Sequence, residues 1–365
     1  MHGPAVRDSD FQTYDLPALP TPHPLDCCWW FDTRTVKDFV SLIRQLSSAN
    51  THVVLLGTPT IFDAVTSLCD TRKFSLVDSD PLVVNRRISG GSAERFAFLA
   101  DLTQQDVGVK SAQVVVADPP WYEPEVRAFL WAARQACKPN GVVLISIPPE
   151  GTRPGVAAEC ETIVNWAKTL GLEMEECRRG VLSYVSPLFE ENALNAASVP
   201  PLRGAWRRGD LVRFRCVGIC RAERPSVSSG HQWRERIFGD VRIRVRERGD
   251  RREWSDPTLY RITESDVLPT VSRRDHRRDL VDVWTSGNRV FRCNGSAILL
   301  YILDAIAYDE GTVGGVEHSL GRHLTTDEEQ QVTRTEERLR EIIQAEGTEV
   351  SAWRERHARV DIVTS

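Results

Sequence analysis

Short apolar runs alternate with amphipathic stretches along the first 220 residues, and the alternation sets out the elements. The runs "THVVLLG" (51–57), "KFSLVDSD" (73–80), "RFAFLADLT" (95–103), "AQVVVADPP" (112–120) and "VVLISIPP" (142–149) are too short for helices and read as strands. Between them, "DTRTVKDFVSLIRQL" (32–46) puts Val36, Phe39, Val40 and Ile43 on one helical face, with Asp32 or Thr33 as cap. "PTIFDAVTSLC" (59–69) opens with Pro59 in its first turn, and "PEVRAFLWAARQACKPNG" (124–141) ends on a Pro-Asn-Gly exit. "VAAECETIVNWAKTLGLE" (156–173) is a further helix, while "CRRGVLSYVS" (177–186) and "GDLVRFRCVGI" (209–219) read as a closing antiparallel pair.

Strands that are apolar throughout, separated by helices, predict a parallel sheet covered on both faces. The fold class expected is α/β: a Rossmann-like class I methyltransferase sheet, with a second, smaller Arg-rich α+β domain at the C-terminus. Residues 1–24, proline-rich and aperiodic, are expected to be a flexible arm, residues 25–220 the catalytic domain, and residues 221–365 the second domain. There "DVRIRVRERGDRREW" (240–254) alternates apolar and arginine positions, with "RGDRR" as its turn. "VDVWTSGNRVFRC" predicts a second hairpin around Ser286-Gly287-Asn288, and "SAILLYILDAIA" an apolar helix. Thr326 and Glu329 form a capping box ahead of a charged helix reaching Glu346.

Composition changes this picture in two ways. A hydrophobic fraction of 41%, nine cysteines and no signal-like start suggest an ordinary globular chain in a reducing cytoplasm, and the eleven-residue run 297–307 is too short for a membrane span. The net charge of −5 argues against a general nucleic-acid binder, but it is unevenly spread. Residues 221–292 hold seventeen arginines, no lysine and twelve acids, hence about +5, which leaves the remainder at about −10. On a strand Arg242, Arg244 and Arg246 lie roughly 6.6 Å apart, a spacing suited to following a phosphate backbone. Arg273, Arg274, Arg277 and Arg278 add to the basic patch, while Trp233 and Trp254 offer stacking faces. The interleaved Glu235, Asp240, Glu247, Asp250 and Glu253 equally fit a solvated, ion-paired face.

Ligands of open parallel sheets bind beyond the carboxyl ends of the strands, where strand order reverses. Four consecutive strand ends carry polar groups here: Gly57-Thr58-Pro59 after the first, Asp78 and Asp80 after the second, Asp101 after the third, Asp118 after the fourth. Each acid singly fits a helix cap or a turn. As a set they suit a ribose diol and an adenine amine, both of which S-adenosylmethionine presents. The first loop, "LGTPT", has one glycine and by itself identifies no cofactor site.

"WWFDTRTV", "VVLLGTPTIFDAV", "FSLVDSD" and "VVVADPPWYEP" resemble, in order and spacing, the N6-adenine methyltransferase-like family, whose members share the glycine-poor loop. The resemblance covers about residues 27–150, more loosely to 220, and not the C-terminal third. Trp121 departs from the phenylalanine or tyrosine most members carry. The resemblance implies an S-adenosylmethionine-dependent N-methyltransferase, and the family holds both adenine-directed and lysine-directed enzymes.

The motif has a physical rationale of its own. An exocyclic amine is a poor nucleophile because its lone pair is delocalised into the ring. Asp118 and a carbonyl of the Pro119-Pro120 turn are placed to accept its two hydrogens, the prolines fix the aim, and Trp121 or Tyr122 supplies a stacking face. Asp118, Pro119, Pro120 and Trp121 are thus the candidate catalytic group. Gly57, Thr58, Pro59, Asp78, Asp80 and Asp101 are the candidate cofactor residues. Tyr122, Tyr184, Asn192, Arg242, Arg244 and Arg246 are the candidate substrate contacts. "LSYVSPLFEENALN" (182–195) reads as a substrate-side loop, with Phe189 and Glu190 as further candidates. The partner favoured is DNA or RNA. A protein substrate, with a lysine ammonium against Trp121, is the second reading, and a silent methyltransferase-like binding subunit the third. No metal site is assigned: Cys216, Cys220 and His231 lack a fourth ligand. Cys27 and Cys28 read as buried packing, and the oligomeric state is left open.

Overall fold

The computed structural model describes residues 19–67, 71–88, 95–200, 206–228, 230–248, 253–309 and 311–363. The chain divides into two compact units that are interleaved along the sequence. Of the described residues, the first comprises those within 29–186 and 206–228, and the second those within 19–28, 187–200 and 230–363.

In the first unit the described residues form a seven-stranded sheet. Its strands are β1 (His52–Leu56), β2 (Lys73–Asp78), β3 (Arg95–Leu99), β4 (Ala112–Ala117), β5 (Cys137–Ile147), β6 (Leu172–Ser183) and β7 (Arg208–Cys216). Their order is β3-β2-β1-β4-β5-β7-β6, and only β7 runs antiparallel to its neighbours. The helices are α1 (Thr33–Leu46), α2 (Pro59–Ser67), α3 (Pro81–Ile88), α4 (Glu123–Ala136) and α5 (Val156–Thr169). The period of two along each strand sends Val54 and Leu56 to one face, against Val126 and Leu130 of α4 and Ile163 of α5. It sends Val53 and Leu55 to the other, against Val36, Phe39 and Val40 of α1 and Ile61 of α2. A strand buried on both faces must be apolar at every position, which is why these runs show no alternation. Each such Val or Leu contributes about 1.5–3 kcal/mol by leaving water.

Local signals account for the helix boundaries. Asp32 caps α1, its Oδ1 accepting Thr35 N–H at 2.8 Å, an arrangement worth about 1 kcal/mol. Helix α3 carries Val83 and Val84, residues that favour strands, and the apolar pattern does not reveal it. Pro81 in its first turn and the Asp80 cap, whose Oδ1 accepts Leu82 N–H at 2.9 Å, override that preference. Helix α4 stops at Ala136 rather than at the Pro-Asn-Gly stretch, because β5 already begins at Cys137.

The second unit holds α6 (Leu188–Ala196), β8 (Trp233–Phe238), β9 (Val241–Arg246), β10 (Tyr260–Arg261), β11 (Val283–Thr285) and β12 (Val290–Arg292). Three helices follow: α7 (Ser296–Tyr308), α8 (Thr312–Leu320) and α9 (Thr326–Val363). Its sheet runs β10-β12-β11-β9-β8. The turn expected at residues 248–252 falls largely outside the described residues. The partner of β9 is β8, joined through Gly239 and Asp240, while the β11–β12 hairpin forms as expected. The apolar side of β9 (Val241, Ile243, Val245) packs against Ile298 and Ile302 of α7 and Leu339 and Ile342 of α9.

Residues 19–24 are not a loose arm: Leu19, Thr21 and His23 are buried within this unit. His23 Nδ1 accepts Leu25 N–H and its Nε2 donates to the Trp284 carbonyl, both at 3.1 Å, which fixes the neutral tautomer. Burial, then Arg244 and Arg242, push its pKa well below the usual histidine value. The capping box sits one residue earlier than expected, between Thr325 and Glu328, and α9 runs on past Glu346. Glu346 is buried, accepting from Thr285, Ser286 and Gly287 N–H beside Arg289. No helix among the described residues is long and apolar enough to cross a membrane.

Candidate active site

The sheet register aligns the candidate strand ends. Asp118 N–H donates to the Leu56 carbonyl at 3.1 Å, Gly57 N–H to Val77 at 2.9 Å, and Ala100 N–H to Asp78 at 2.9 Å. Gly57, Asp78 and Asp118 therefore lie side by side at the carboxyl edge of β2-β1-β4. This is where strand order reverses, with β1 between β2 and β4.

Gly57 is needed at its position. Its φ is +64°, and a Cβ there would stand 3.2 Å from the Asp118 carbonyl and 3.3 Å from Phe129. One glycine thus suffices to bring the β1 and β4 ends together. Thr58 is buried and its Oγ1 has no hydrogen-bond partner among the described residues. An orphaned hydroxyl next to a left-handed glycine, at the N-terminus of α2, with Asp78 on the neighbouring strand end, fits a ligand carrying polar groups.

The other cofactor candidates have local partners. Asp78 Oδ1 accepts Asp80 N–H at 2.9 Å, and Asp80 caps α3. Asp101 Oδ1 accepts both the N–H and the hydroxyl of Thr103, at 2.9 and 2.6 Å, in an exposed turn. Pro59 begins α2 and is buried.

Asp118 is the centre of a small polar network. Its Oδ1 accepts from the Ser146 hydroxyl and, at 2.9 Å, from the Tyr184 hydroxyl. Among the described residues none donates to Oδ2. Burial raises the Asp118 carboxyl to about 7, against the pull of the two hydroxyl donors. Because the folded value is raised, ionising Asp118 opposes folding as pH climbs from about 4 through about 7. A carboxyl perturbed in this way at a strand end marks a candidate functional position. Burial, then the Asp118 charge, lift Tyr184 well above the usual phenol value, so it stays a donor.

Trp121 closes the network. Its Nε1 donates to Ser146 Oγ at 3.4 Å, and its ring meets Tyr184 edge-on with centroids 5.4 Å apart. Gly209 of β7 leaves the room, since a Cβ there would come within 2.9 Å of the Trp121 ring and 3.2 Å of Tyr184. The Arg207 guanidinium lies over Trp29, Trp121 and Trp206, at 4.5, 5.7 and 5.2 Å from the ring centroids. Tyr122 precedes α4, with Arg153 over its ring at 5.4 Å. In the turn, the Pro120 carbonyl accepts Tyr122 N–H at 2.8 Å, while Pro119 is buried.

Several expected substrate contacts are corrected. Tyr184 is a buried partner of Asp118 rather than a loop residue. Asn192 belongs to the second unit: residues 188–196 are helix α6, and the Asn192 amide donates to the Gly287 carbonyl and to Glu349. Phe189 and Glu190 are buried on the same helix. On the arginine face of β9, Arg242 and Arg244 are ion-paired internally. Arg242 is 1% exposed, held by Glu235, Asp26 and the Thr21 carbonyl. Arg244 pairs with Asp26 and Glu235, and Arg246 donates to the Asp279 carbonyl and to His231. Arg242 and Arg244, neutralised by their own chain, cannot also follow a phosphate backbone, so the expected ladder of three is not available for one.

Ser146 is a further candidate residue that the motif does not name. Its signal is a lone hydroxyl inside the apolar run Val142–Ile147. Among the described residues no group of three metal-ligating side chains assembles. Cys216 sits buried in β7, and Cys27 and Cys28 are half-buried.

Residues 28–168 match the family model described as "Probable N6-adenine methyltransferase". No curated protein compared with the chain matches it significantly. Among solved structures, the branched-chain polyamine synthase C9 mutein of Thermus thermophilus, in complex with N4-aminopropylspermidine and 5'-methylthioadenosine, superimposes with a TM-score of 0.52. It shares 15% identity, and the match covers 59% of this chain and 64% of that one. The non-mutein form, with the same ligands, has a TM-score of 0.50 at the same identity and coverage. A TehB-like S-adenosylmethionine-dependent methyltransferase of Corynebacterium glutamicum scores 0.33 at 14% identity, over 47% of this chain and 84% of that one. The chain thus spans less than two thirds of the polyamine synthase, and the likeness is one of fold. Over residues 28–168, less than half of its length, the chain is similar to the probable N6-adenine methyltransferase family.

Proposed function

We propose that the chain transfers a methyl group from S-adenosylmethionine to an exocyclic amine, the N6 of adenine in a nucleic acid. The observation that carries this reading is the asymmetry of Asp118. Two hydroxyls anchor Oδ1 while none of the described residues donates to Oδ2, at the end of the strand adjoining the glycine turn. Gly57, Thr58 and Asp78 are the residues that would hold the donor, and when bound it supplies a methyl group on a sulfonium leaving group.

The protein's own part is orientation and charge. Asp118 Oδ2 accepts one amine hydrogen. The Pro119 carbonyl is the acceptor left in the turn for the other, since the Pro120 carbonyl is taken by Tyr122 N–H. Pulling on both hydrogens localises the nitrogen lone pair and supports the positive charge that develops on nitrogen. The carboxylate, near 7, then takes up the proton released once the nitrogen is methylated and passes it to solvent.

A lysine acceptor is the second reading, favoured by that same carboxylate, which suits removal of a proton from an ammonium group. Arg207 weighs against it. The aromatic faces that would cage an ammonium already hold a guanidinium, and a second cation there is repelled.

The test is radiolabelled methyl transfer to mixed RNA, mixed DNA and a protein lysate, followed by nucleoside analysis, with donor affinity measured calorimetrically. N6-methyladenosine or its deoxy form is the expected product, and Asp118→Ala is expected to abolish transfer while preserving donor affinity. Label confined to protein would overturn the adenine assignment. Absence of donor binding at millimolar concentration, unchanged in Asp78→Ala, would overturn the enzymatic reading altogether.

A further inference from the structure

The first unit carries a groove of about 450 Å³ between α1 and the β6–β7 pair. Its polar lining is dominated by three guanidiniums, Arg34, Arg178 and Arg208, with Asp38 the one acid among them, over a floor that includes Phe39 and Leu211. Arg34 is exposed and has no hydrogen-bond partner among the described residues. Arg178 shares its charge with Glu176, and Arg208 donates to Ser183 Oγ. Outside residues 221–292 the chain carries about −10, so three converging arginines run against their background.

The groove is joined to the active site through consecutive residues at and just before the start of β7. Arg208 lines the groove. Arg207, one residue before it, stacks on Trp121 beside Asp118, and Trp206 is 40% exposed. A charged groove leading to flat aromatic faces is the combination that holds single-stranded nucleic acid, with backbone in the groove and bases on the rings.

We propose that this groove binds the phosphate backbone of a single-stranded nucleic acid on one side of the acceptor base, with Trp206 stacking a neighbouring base. The proposal rests on the nucleic-acid reading above and assigns it a surface, in place of the β9 face, where Arg242 and Arg244 are paired internally.

The test uses the full chain and fluorescein-labelled single-stranded RNA and DNA of about twelve nucleotides, with anisotropy titrations over a range of salt. Each phosphate contact on a single strand adds about 0.7 to the slope of log affinity against log salt. The triple variant Arg34→Gln/Arg178→Gln/Arg208→Gln is expected to bind about tenfold more weakly or worse and to lose about 2 from that slope. Arg34→Glu, a change at an exposed position, is expected to weaken binding several-fold on its own and keeps the test decisive should the triple variant fold poorly. The charge control is Arg213→Gln/Arg215→Gln, two arginines already paired with Glu175, for which little change is expected. Oligonucleotide binding by the wild type that neither groove variant weakens would overturn the groove assignment and leave the adenine reading standing. No oligonucleotide binding by the wild type would overturn both.

Discussion

Removing the Tyr184 hydroxyl tests the Asp118 network quantitatively. Tyr184 and Ser146 both donate to Oδ1, and both hold the Asp118 carboxyl down against burial. A hydrogen bond to a charged acceptor is worth about 1.5–3 kcal/mol, and 1.36 kcal/mol corresponds to one pKa unit. Tyr184→Phe is thus expected to raise the carboxyl from about 7 by roughly one to two units. The form that accepts an amine hydrogen is the carboxylate, so activity rises with pH through this value. At pH 7 the ionised fraction then falls from about one half to between about a tenth and a hundredth, a loss of roughly 5- to 50-fold, and most of it returns above about pH 9.5. The assay is the pH profile of kcat/KM for methyl transfer, with circular dichroism and donor affinity as controls. Ser146→Ala is expected to move the acid limb in the same direction. A limb that stays in place in both variants, with fold and donor affinity intact, would refute the claim that these hydroxyls set the Asp118 charge.

Two further outcomes test the packing around the site and in the second unit. Gly209→Ala places a methyl group 2.9 Å from Trp121. It is expected to lower transfer by at least tenfold, the cost of a misplaced positioning group, with donor affinity unchanged; wild-type turnover would show that the Trp121 position does not matter. Glu346→Ala leaves Thr285, Ser286, Gly287 N–H and Arg289 without their buried acceptor. It is expected to cost about 3–5 kcal/mol in urea unfolding, whereas a change below about 1 kcal/mol would show that water replaces the carboxylate.

The parallel sheet and the strand-end positions of Gly57, Asp78 and Asp118 were legible along the chain, because burial on both faces demands uninterrupted apolar runs and the polar residues ending them stand out. Helix α3 was hidden by Val83 and Val84, whose branching favours strands until a proline and a cap decide otherwise. Ser146 and Tyr184 lie 28 and 66 residues from Asp118, and no local pattern ties them to it. Their meeting follows from β5 lying beside β4 and from β6 delivering Tyr184 back across the sheet.

The arginines of β9 make the contrast sharpest. Alternation placed Arg242, Arg244 and Arg246 on one face of a strand, which period-two geometry requires of any such sequence. Whether that face meets solvent was set by Glu235 on the neighbouring strand and by Asp26 and Thr21, more than two hundred residues earlier in the chain. Periodicity is a property of the backbone and can be read from the residues in order, whereas the charge a surface presents depends on which distant residues fold onto it.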